Sequence, residues 1–367
     1  MGVGTRTLED MVVNAPPLPD PAFWYGKKVL LTGHTGFKGA WMAIWLTRMG
    51  AQVIGLALPP ANGVSLFVEA DIAGLCESHF IDIRDAEKIV GLVRVARPDV
   101  VFHLAAQALV GTGYADPLAT FAINVQGTAN VLNALRHTET VRAAVMITTD
   151  KVYRNKGEPF PFRESDPLGG HDPYSASKAA AEMVISCYRE SFLADADIAI
   201  ASARAGNVIG GGDWAPDRLI PDAIRAWEAG RVLNVRRPEA VRPWQHVLEP
   251  LAAYFLLAER LWARAVPAES YNFGPTPHEA ASVRTVVEMA RQMCAGNVSY
   301  ADGTQGPHEA GWLALETAKA RSLLGVVPRW SLQEAVQRTI AWYISHRDGV
   351  GAKTLCETDI GAFEAAK

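Results

Sequence analysis

The regular alternation of short apolar runs with helix-length segments is the feature of this sequence that most restricts its fold. The apolar runs are Val29–Leu31, Val53–Leu56, His79–Ile81, Val100–Leu104, Ala143–Thr148 and Ile198–Ala203. Segments with apolar residues three to four positions apart separate them, notably Gly39–Met49, Asp85–Ala96, Pro117–Arg136 and Ser175–Glu190. Strands that alternate with such helices form a parallel sheet covered on both faces. The sequence therefore predicts an α/β fold with a doubly wound, Rossmann-like parallel sheet.

A glycine-rich turn directly follows the first predicted strand. Gly33, Gly36 and Gly39 are spaced as G-x-x-G-x-x-G and open the first long helix. Such glycines permit a tight turn, and they let backbone N–H groups at a helix N-terminus approach a pyrophosphate. An ordinary strand-to-helix turn is the alternative. The residues that we expect to contact a dinucleotide here are Gly33, Thr35, Gly36, Phe37, Lys38 and Gly39.

The sequence leaves the choice between NAD and NADP open. The second strand ends at Leu56-Ala57-Leu58-Pro59, without the acidic residue that accepts from a ribose 2′-hydroxyl and without an arginine for a 2′-phosphate. Lys38 could reach a phosphate or be solvated. Asp82, which precedes Ile83 after the third strand, could accept from the adenine amino group or cap the helix that begins near Asp85.

The strand–helix rhythm stops after Ala205, where four glycines lie between residues 206 and 212 and prolines become frequent. This change predicts a smaller, less regular C-terminal substrate lobe. We assign residues 1–22 to a flexible leader, because its prolines cannot support a helix interior or a central strand. The other predicted parts are a dinucleotide-binding lobe (23–206, with 241–275 returning to it), a substrate-binding lobe (207–240 and 276–350) and a loosely held tail (351–367).

Composition excludes several classes of protein. The chain has 49% hydrophobic and 20% charged residues, which is typical of a packed core and not of a disordered chain. Its formal net charge of -4 offers no electrostatic surface for nucleic acid. The four cysteines lie far apart, and the histidines, His34, His103 and His246 among them, lack metal-site spacing. We therefore expect no metal and no disulfide framework.

Targeting signals are not recognisable in the sequence. The first residues carry Arg6, Glu9 and Asp10 without a long apolar stretch, and nowhere do 18 apolar residues follow one another. Scattered cysteines fit a reducing compartment. We expect a cytoplasmic protein with no membrane partner.

A tyrosine and a lysine four residues apart, Tyr174 and Lys178, lie at the start of a predicted helix. An ammonium group beside a phenol favours the phenolate, which is the base that oxidation of a hydroxyl requires. Thr149, Asp150 and Lys151 follow a predicted parallel strand, at the sheet edge where ligands bind. Thr149 could donate to the phenolic oxygen or to a sugar hydroxyl. An exposed helical pair, and a turn with two solvated charges, are the structural alternatives.

Several of these motifs occur together and in a familiar order. Gly33-x-x-Gly36-x-x-Gly39, the run His103–Gln107, Thr149-Asp150-Lys151 and Tyr174-x-x-x-Lys178 resemble the nucleotide-sugar branch of the extended short-chain dehydrogenases/reductases. The stretches Arg204–Trp214, Arg218–Asp222 and Arg242–Val247 resemble the CDP-glucose 4,6-dehydratase family. This resemblance extends from about residue 24 to residue 345.

The resemblance implies an NAD-dependent internal redox cycle on a nucleotide-linked hexose. Tyr174 would take the C4 hydroxyl proton, with Thr149 and Lys178 assisting, and the cofactor would be regenerated. Asp150 would act as general acid in the loss of water, which requires a raised pKa. Lys151 would be either the C5 base or a group that only orients the substrate. Further cofactor contacts would come from Leu104, Ala105, Ala106 and Gln107. Relatives commonly dimerise through the helices of Lys178 and Asn124.

Positive charge in the second lobe predicts where a pyrophosphate binds, because arginine forks suit phosphate oxygens. We favour Arg242 and Arg218 for that role and expect Arg236 and His308 to contact substrate. Asn207 resembles a substrate-binding asparagine, although it could instead satisfy backbone groups in a glycine-rich turn. The chain departs from the family pattern at Gly111 and Gly113, where relatives tend to have arginine and serine.

Three other functions remain open at this point. A nucleotide-sugar 4-epimerase or 4-reductase would share the glycine loop and the Tyr174–Lys178 pair but would not need an acid at Asp150. A dehydratase could act on another nucleotide-linked hexose. A redox-sensing protein that binds a dinucleotide without turnover would not require the pair at all.

Overall fold

A computed structural model describes residues 16–60, 63–303 and 310–366 of this chain. The strands are β1 (Lys28–Thr32), β2 (Gln52–Ala57), β3 (Glu77–Phe80), β4 (Val100–His103), β5 (Ala143–Ile147), β6 (Ala199–Ala205), β7 (Val208–Ile209), β8 (Leu233–Val235), β9 (Val241–Arg242), β10 (Gln245–His246), β11 (Ser270–Phe273), β12 (Ala281–Ser282) and β13 (Val298–Tyr300). Seven of them form one parallel sheet in the order β11-β6-β5-β4-β1-β2-β3. The predicted doubly wound sheet is therefore confirmed.

Helices cover both faces of this sheet and build the remainder of the chain. They are α1 (Pro21–Trp24), α2 (Phe37–Arg48), α3 (Leu66–Glu69), α4 (Ile72–Leu75), α5 (Ala86–Ala96), α6 (Val110–Ala115), α7 (Pro117–Phe121), α8 (Gly127–Leu135), α9 (Pro173–Tyr188), α10 (Leu219–Glu228), α11 (Leu248–Trp262), α12 (Val283–Arg291), α13 (Ala318–Leu324), α14 (Leu332–Arg347) and α15 (Ala352–Ala365). A π-helical turn, Ala122–Gln126, joins α7 to α8, so the predicted helix over 117–136 is nearly continuous.

Alternate residues of each central strand point into different cores, because side chains alternate across a sheet. On β1, Val29 and Leu31 pack into a large core with α2 and α11, whereas Leu30 packs into a smaller core on the opposite face. All four residues of β4 and all five of β5 are buried. Strands buried on both faces are typical of parallel sheets.

The segment after β6 is less regular, as the sequence predicts. Its two-residue strands pair β7 with β10 and β9 with β12, and β8 pairs with β13. Chain 241–275 contains α11 and the edge strand β11, which pairs with β6 in the main sheet. The division of ligand-binding roles between the two lobes remains a prediction.

The predicted flexible leader is wrong for the described residues 16–22. Asp20 caps α1, and its backbone N–H donates to Glu259 at 2.9 Å. Trp24, which ends α1, is fully buried, and its indole donates to the same carboxylate at 2.7 Å. Proline at the first helical position preorganises α1 and does not break it. Residues 1–15 lie outside the described residues.

The predicted loose tail is also wrong, because residues 352–365 form helix α15. Cys356, Ile360 and Phe363 are buried in the large core, and the Trp45 indole donates to Glu364 at 3.0 Å. The tail is held by apolar burial on one face of this helix. Across the described parts of the chain, no helix is both long enough and apolar enough to cross a membrane.

Candidate active site

The glycine-rich turn between β1 and α2 allows three backbone segments to meet. Gly33 has φ +80°, and a Cβ there would lie 2.7 Å from the backbone nitrogen of Ala105. A Cβ on Gly39 would lie 2.1 Å from the carbonyl oxygen of Gly33. Glycine is therefore required at both positions. No side chain caps α2 at Gly36, so the N–H groups of its first turn remain available to an anion.

The side chains of this turn face inward more than the sequence suggested. Lys38 is half-buried, and burial, then the charges of Arg218 and Lys178, lower its pKa to about 8. This partial burial favours a phosphate contact for Lys38 over the solvated alternative, and the contact stays a prediction. Thr35 donates to the carbonyl of Leu58 at 3.0 Å. Phe37 packs against Gly210 of the second lobe.

Asp82 does not cap the helix that follows it. Its carboxylate pairs with Arg84 at 2.6 Å, and that hydrogen bond lowers its pKa. Asp85 caps α5 instead, accepting from the backbone nitrogen of Lys88. Ile83 is buried against Gly127. An adenine contact at Asp82 and Ile83 stays a prediction.

The loop after β4 is tied to both β1 and α9. The backbone nitrogen of Ala105 donates to the Thr32 hydroxyl at 3.1 Å, and Leu104 and Ala106 flank it half-buried. The backbone nitrogen of Gln107 donates to Asn124 at 2.9 Å. Asn124, inside the π-helical turn, in turn donates to Ser177 on α9 at 2.9 Å. Asn124 thus fixes the distance between the predicted cofactor loop and the catalytic helix.

The structure brings Thr149, Asp150, Tyr174 and Lys178 together at the carboxyl end of β5. Thr149 donates its hydroxyl hydrogen to Asp150 Oδ1 at 3.0 Å, and Thr149 also acts on Tyr174 so as to lower the pKa of the phenol. Lys178 Nζ donates to the carbonyl of Ile147 at 2.9 Å, and burial lowers its pKa to about 8. The sequence predicts that Lys178 favours the phenolate of Tyr174. In the structure, burial raises the pKa of Tyr174, and Thr149 and Arg218 oppose the rise only in part.

Asp150 is a buried carboxyl group whose pKa is raised above its ordinary value. Asp150 is only 2% exposed, and this burial raises the pKa of its carboxyl group, although Lys151, Thr149 and Arg242 oppose the rise. Oδ2 has no hydrogen-bond partner among the described residues. Gly206 permits this arrangement, since a Cβ there would lie 2.4 Å from Pro243 and 3.1 Å from Asp150 Oδ2. The turn and solvated-charge alternative is thereby excluded for Asp150.

The remaining predicted residues surround this centre. Lys151 is half-buried, and its backbone nitrogen donates to Thr149 at 3.3 Å. Arg242 is buried and acts electrostatically on Asp150, whereas Arg218 is half-buried and acts on Tyr174. Asn207 accepts from Gln245 through its backbone carbonyl at 3.0 Å.

Two predicted substrate residues are not placed at this centre. Arg236 is exposed near the edge of the second lobe, beside Gly303. His308 lies outside the described residues. At the two departures from the family pattern, a Cβ at Gly113 would lie 3.3 Å from the backbone nitrogen of Tyr174, and one at Gly111 would lie 3.2 Å from Asp217. Gly113 therefore lets α6 approach the start of the catalytic helix.

Sequence reasoning missed a buried ion pair behind the catalytic helix. Glu182, one turn after Lys178 on α9, pairs with Arg204 of β6 at 2.9 Å, and both side chains are almost wholly buried. Burial alone would raise the pKa of Glu182, but Arg204 and the donors Thr148 and Ser202 lower it overall. The i, i+4 spacing from Lys178 was the available signal. The carboxylate of Glu182 raises the pKa of Lys178 against the effect of burial.

Three histidines that the sequence analysis did not assign as metal ligands are buried. His103 is buried between the hydroxyls of Thr32 and Thr128, and burial lowers its pKa to about 3. His34 and His246 are also buried, with pKa values lowered to about 4 and about 3. Within residues 16–60, 63–303 and 310–366, no group of three or more candidate ligands could hold a metal ion.

Comparison with known proteins agrees with this fold and gives the family of the chain. Residues 30–339 match the family model described as GDP-mannose 4,6 dehydratase, and the chain belongs to this family. A CDP-glucose 4,6-dehydratase of Salmonella typhimurium is 45% identical over 331 residues, which cover 88% of this chain and 92% of that protein.

Solved structures show the same fold at lower identity. A dTDP-glucose 4,6-dehydratase of Bacillus anthracis in complex with NAD has a TM-score of 0.74 at 21% identity, covering 88% of this chain and 98% of that chain. A UDP-glucose 4-epimerase of Stenotrophomonas maltophila with bound NAD has a TM-score of 0.77 at 21% identity, covering 88% and 100%. Dehydratases and epimerases therefore share this architecture, and the fold alone does not separate them.

Proposed function

We propose that this protein dehydrates CDP-D-glucose to CDP-4-keto-6-deoxy-D-glucose with NAD as a cofactor that is regenerated in each cycle. The observation that carries the proposal is the buried, partly unpaired carboxyl group of Asp150 beside Thr149 and Tyr174. An epimerase has no step that consumes a proton from such an acid. The 45% identity to a CDP-glucose 4,6-dehydratase supports the choice of sugar nucleotide.

The residues of the β1–α2 turn fit a dinucleotide. Gly33 and Gly39 leave no room for a Cβ, and the uncapped N-terminus of α2 provides free N–H donors for a pyrophosphate. Lys38 adds a positive charge at this position. When bound, NAD supplies the hydride acceptor for C4 and the hydride donor for C6. Neither an acidic residue nor an arginine follows β2, so the preference for NAD over NADP rests on the family.

Tyr174 is the base of the first step. Its phenolate accepts the C4 hydroxyl proton as C4 becomes a carbonyl, and Thr149 beside it acts to lower the pKa of the phenol. Because burial raises the pKa of Tyr174, the charges of Arg218 and Lys178 have to favour the phenolate when substrate is bound.

Elimination of water then follows at C5 and C6. The new carbonyl acidifies the C5 proton, which a base removes; Lys151 takes that role or orients the sugar for it. Asp150 gives its proton to the departing C6 hydroxyl, which leaves as water. To close the cycle, C6 would receive the hydride that C4 gave up and C5 the proton held by the base, while the proton that Tyr174 took from the C4 hydroxyl would restore Asp150 to its acid form. The net reaction loses one water and leaves the oxidation state of the cofactor unchanged.

Substrate phosphates are expected near Arg242 and Arg218. Arg242 is buried and close enough to Asp150 to lower the pKa of that carboxyl, so a sugar at Asp150 places its diphosphate within reach. Asn207, at the glycine-rich junction between the lobes, is expected to bind the sugar or the diphosphate. Arg236 and His308 stay predictions for the outer, nucleotide end of the substrate.

We also propose a cytoplasmic homodimer. Leu118 on α7 is 82% exposed and Met183 on α9 is 61% exposed, and α7 and α9 pack side by side. Pairing of these helices with a second copy would cover both side chains. The free cysteines among the described residues fit a reducing compartment.

Mass spectrometry of the product tests the proposed activity. Purified protein with CDP-glucose and catalytic NAD should convert the substrate to a product lighter by one water, and a Tyr174→Phe variant should lose this conversion by at least about 10²-fold. A product of unchanged mass with inverted C4 would favour an epimerase and overturn the proposal. Faster dehydration of dTDP-, GDP- or UDP-glucose would replace only the assigned nucleotide, and the same assay with NADP measures cofactor preference.

A further inference from the structure

Tyr254 on α11 lies in the catalytic cluster, yet nothing in the proposed reaction uses it. Its side chain is fully buried, and its hydroxyl has no hydrogen-bond partner among the described residues. A buried hydroxyl without a hydrogen-bond partner destabilises the folded state, and phenylalanine would avoid this cost. The neighbours of Tyr254 on α11 from Leu251 to Ala258 are apolar and buried, so packing does not require an oxygen here.

The position of Tyr254 connects it to three groups of the active site. The ammonium of Lys38 lies 5.7 Å from the centre of its ring. Its hydroxyl interacts electrostatically with Tyr174 and with Asp150, and both interactions raise its pKa beyond the effect of burial. Helix α11 packs against β5, the strand that ends just before Thr148 and Asp150. Tyr254 therefore lies near the catalytic carboxyl, on the helix that packs against β5.

Asp150 offers the matching unpaired atom. Thr149 binds Oδ1, while Oδ2 is buried without a partner among the described residues. One buried water needs two to four polar partners, and Tyr254, Asp150 and Lys38 could supply three. We propose that Tyr254 is a positioning residue whose hydroxyl, through one shared water, orients the carboxyl group of Asp150 for elimination. This inference rests on the proposed dehydration.

A Tyr254→Phe variant tests the inference by kinetics. We expect kcat to fall about tenfold, the size of one lost hydrogen bond, with KM for CDP-glucose unchanged. Reduced cofactor should accumulate, because oxidation at C4 continues while elimination is slower. Tyr271→Phe is the matched control, since Tyr271 is a buried tyrosine whose hydroxyl donates to Pro267 at 2.8 Å away from the site. It should keep wild-type kcat.

Stability measurements give a readout that does not need turnover. The urea midpoint of Tyr254→Phe should equal or exceed that of the wild type, whereas Tyr271→Phe should lower it. The shift caused by Tyr254→Phe should also differ between the wild-type and Asp150→Asn backgrounds, because the two groups share a partner. Equal shifts in both backgrounds would overturn the inference even if CDP-glucose proves to be the wrong substrate. Wild-type kcat in Tyr254→Phe, with wild-type dehydration intact, would overturn it and leave the proposed function standing.

Discussion

Two buried polar clusters flank the catalytic helix α9, and they differ in how completely their groups are paired. Behind the helix, Glu182 and Arg204 satisfy each other, and Arg204 also donates to Tyr153 at 2.9 Å and to Ser270 at 3.0 Å. In front of it, Asp150 Oδ2 and the Tyr254 hydroxyl are unpaired among the described residues. Fully paired groups hold structure, while unpaired buried groups are kept for ligands or chemistry.

The largest expected effect comes from breaking the paired cluster. An Arg204→Met substitution leaves the Glu182 carboxylate buried without its cation, which costs about 3–5 kcal/mol. The urea unfolding midpoint should fall accordingly.

A double variant separates pairing from packing in this cluster. Because Glu182→Leu with Arg204→Met removes both charges, it should be less destabilised than Arg204→Met alone. If the single substitution lowered the free energy of unfolding by less than about 1 kcal/mol, the ion pair would not be what stabilises the packing of α9 against β6.

Removing the acid of the unpaired cluster should reduce activity and leave stability unchanged or higher. Asp150→Asn keeps the shape of the side chain but cannot release a proton, so dehydration should slow by about 10²-fold or more. Stability should be unchanged or higher, because a carboxyl group with an unpaired oxygen is replaced. Product mass and urea unfolding measure the two effects.

Asp359→Asn is the matched control for this substitution. Asp359 is also buried, with a pKa that burial raises to about 6, but it pairs with Arg338 at 3.3 Å on the distant helix α15. This variant should keep its activity and lose stability. Full dehydration by Asp150→Asn would mean that another group protonates the leaving hydroxyl.

The paired and unpaired clusters also differ in how far the sequence predicts them. Strand periodicity and the Tyr174–Lys178 spacing give the sheet and the catalytic helix, because both depend on local patterns. The Glu182–Arg204 pair joins two elements, and only the i, i+4 distance from Lys178 indicated a role for Glu182. Tyr254 lies in the stretch Leu251–Ala258 of α11, which is buried and, apart from the Tyr254 hydroxyl, apolar, so no periodicity distinguishes it from the core.

The two terminal segments were mispredicted for a related reason. The leader was judged by its prolines, although Pro21 occupies a position where proline favours a helix start. The predicted tail, 351–367, is instead largely helical, because Cys356, Ile360 and Phe363 repeat at helical spacing and pack into the core. In both segments the apolar residues that bury surface were better predictors than the helix breakers beside them.

A third kind of buried carboxylate has hydrogen-bond donors but no ion pair among the described residues. Changing it should give the smallest effect of the variants compared here. Glu249 at the start of α11 accepts from the backbone nitrogens of Arg329 at 2.9 Å and Trp330 at 2.8 Å. Burial raises its pKa from 4.5 to about 7 despite these donors. The folded state therefore binds more protons than the unfolded state between these values, so stability should fall as pH rises through this window.

Glu249→Gln keeps the acceptor and removes the charge. Near pH 5 the variant and the wild type should unfold at similar urea concentrations, whereas near pH 8 the variant should be more stable by about 1–3 kcal/mol. Glu259 and Asp359, whose pKa values burial also raises, titrate in the same range, but they are common to both proteins and cancel in the difference. A difference that did not change with pH would mean that Glu249 is charged in the folded state throughout. Backbone donors alone would then suffice to keep the buried Glu249 carboxylate ionised, as Arg204 does for Glu182.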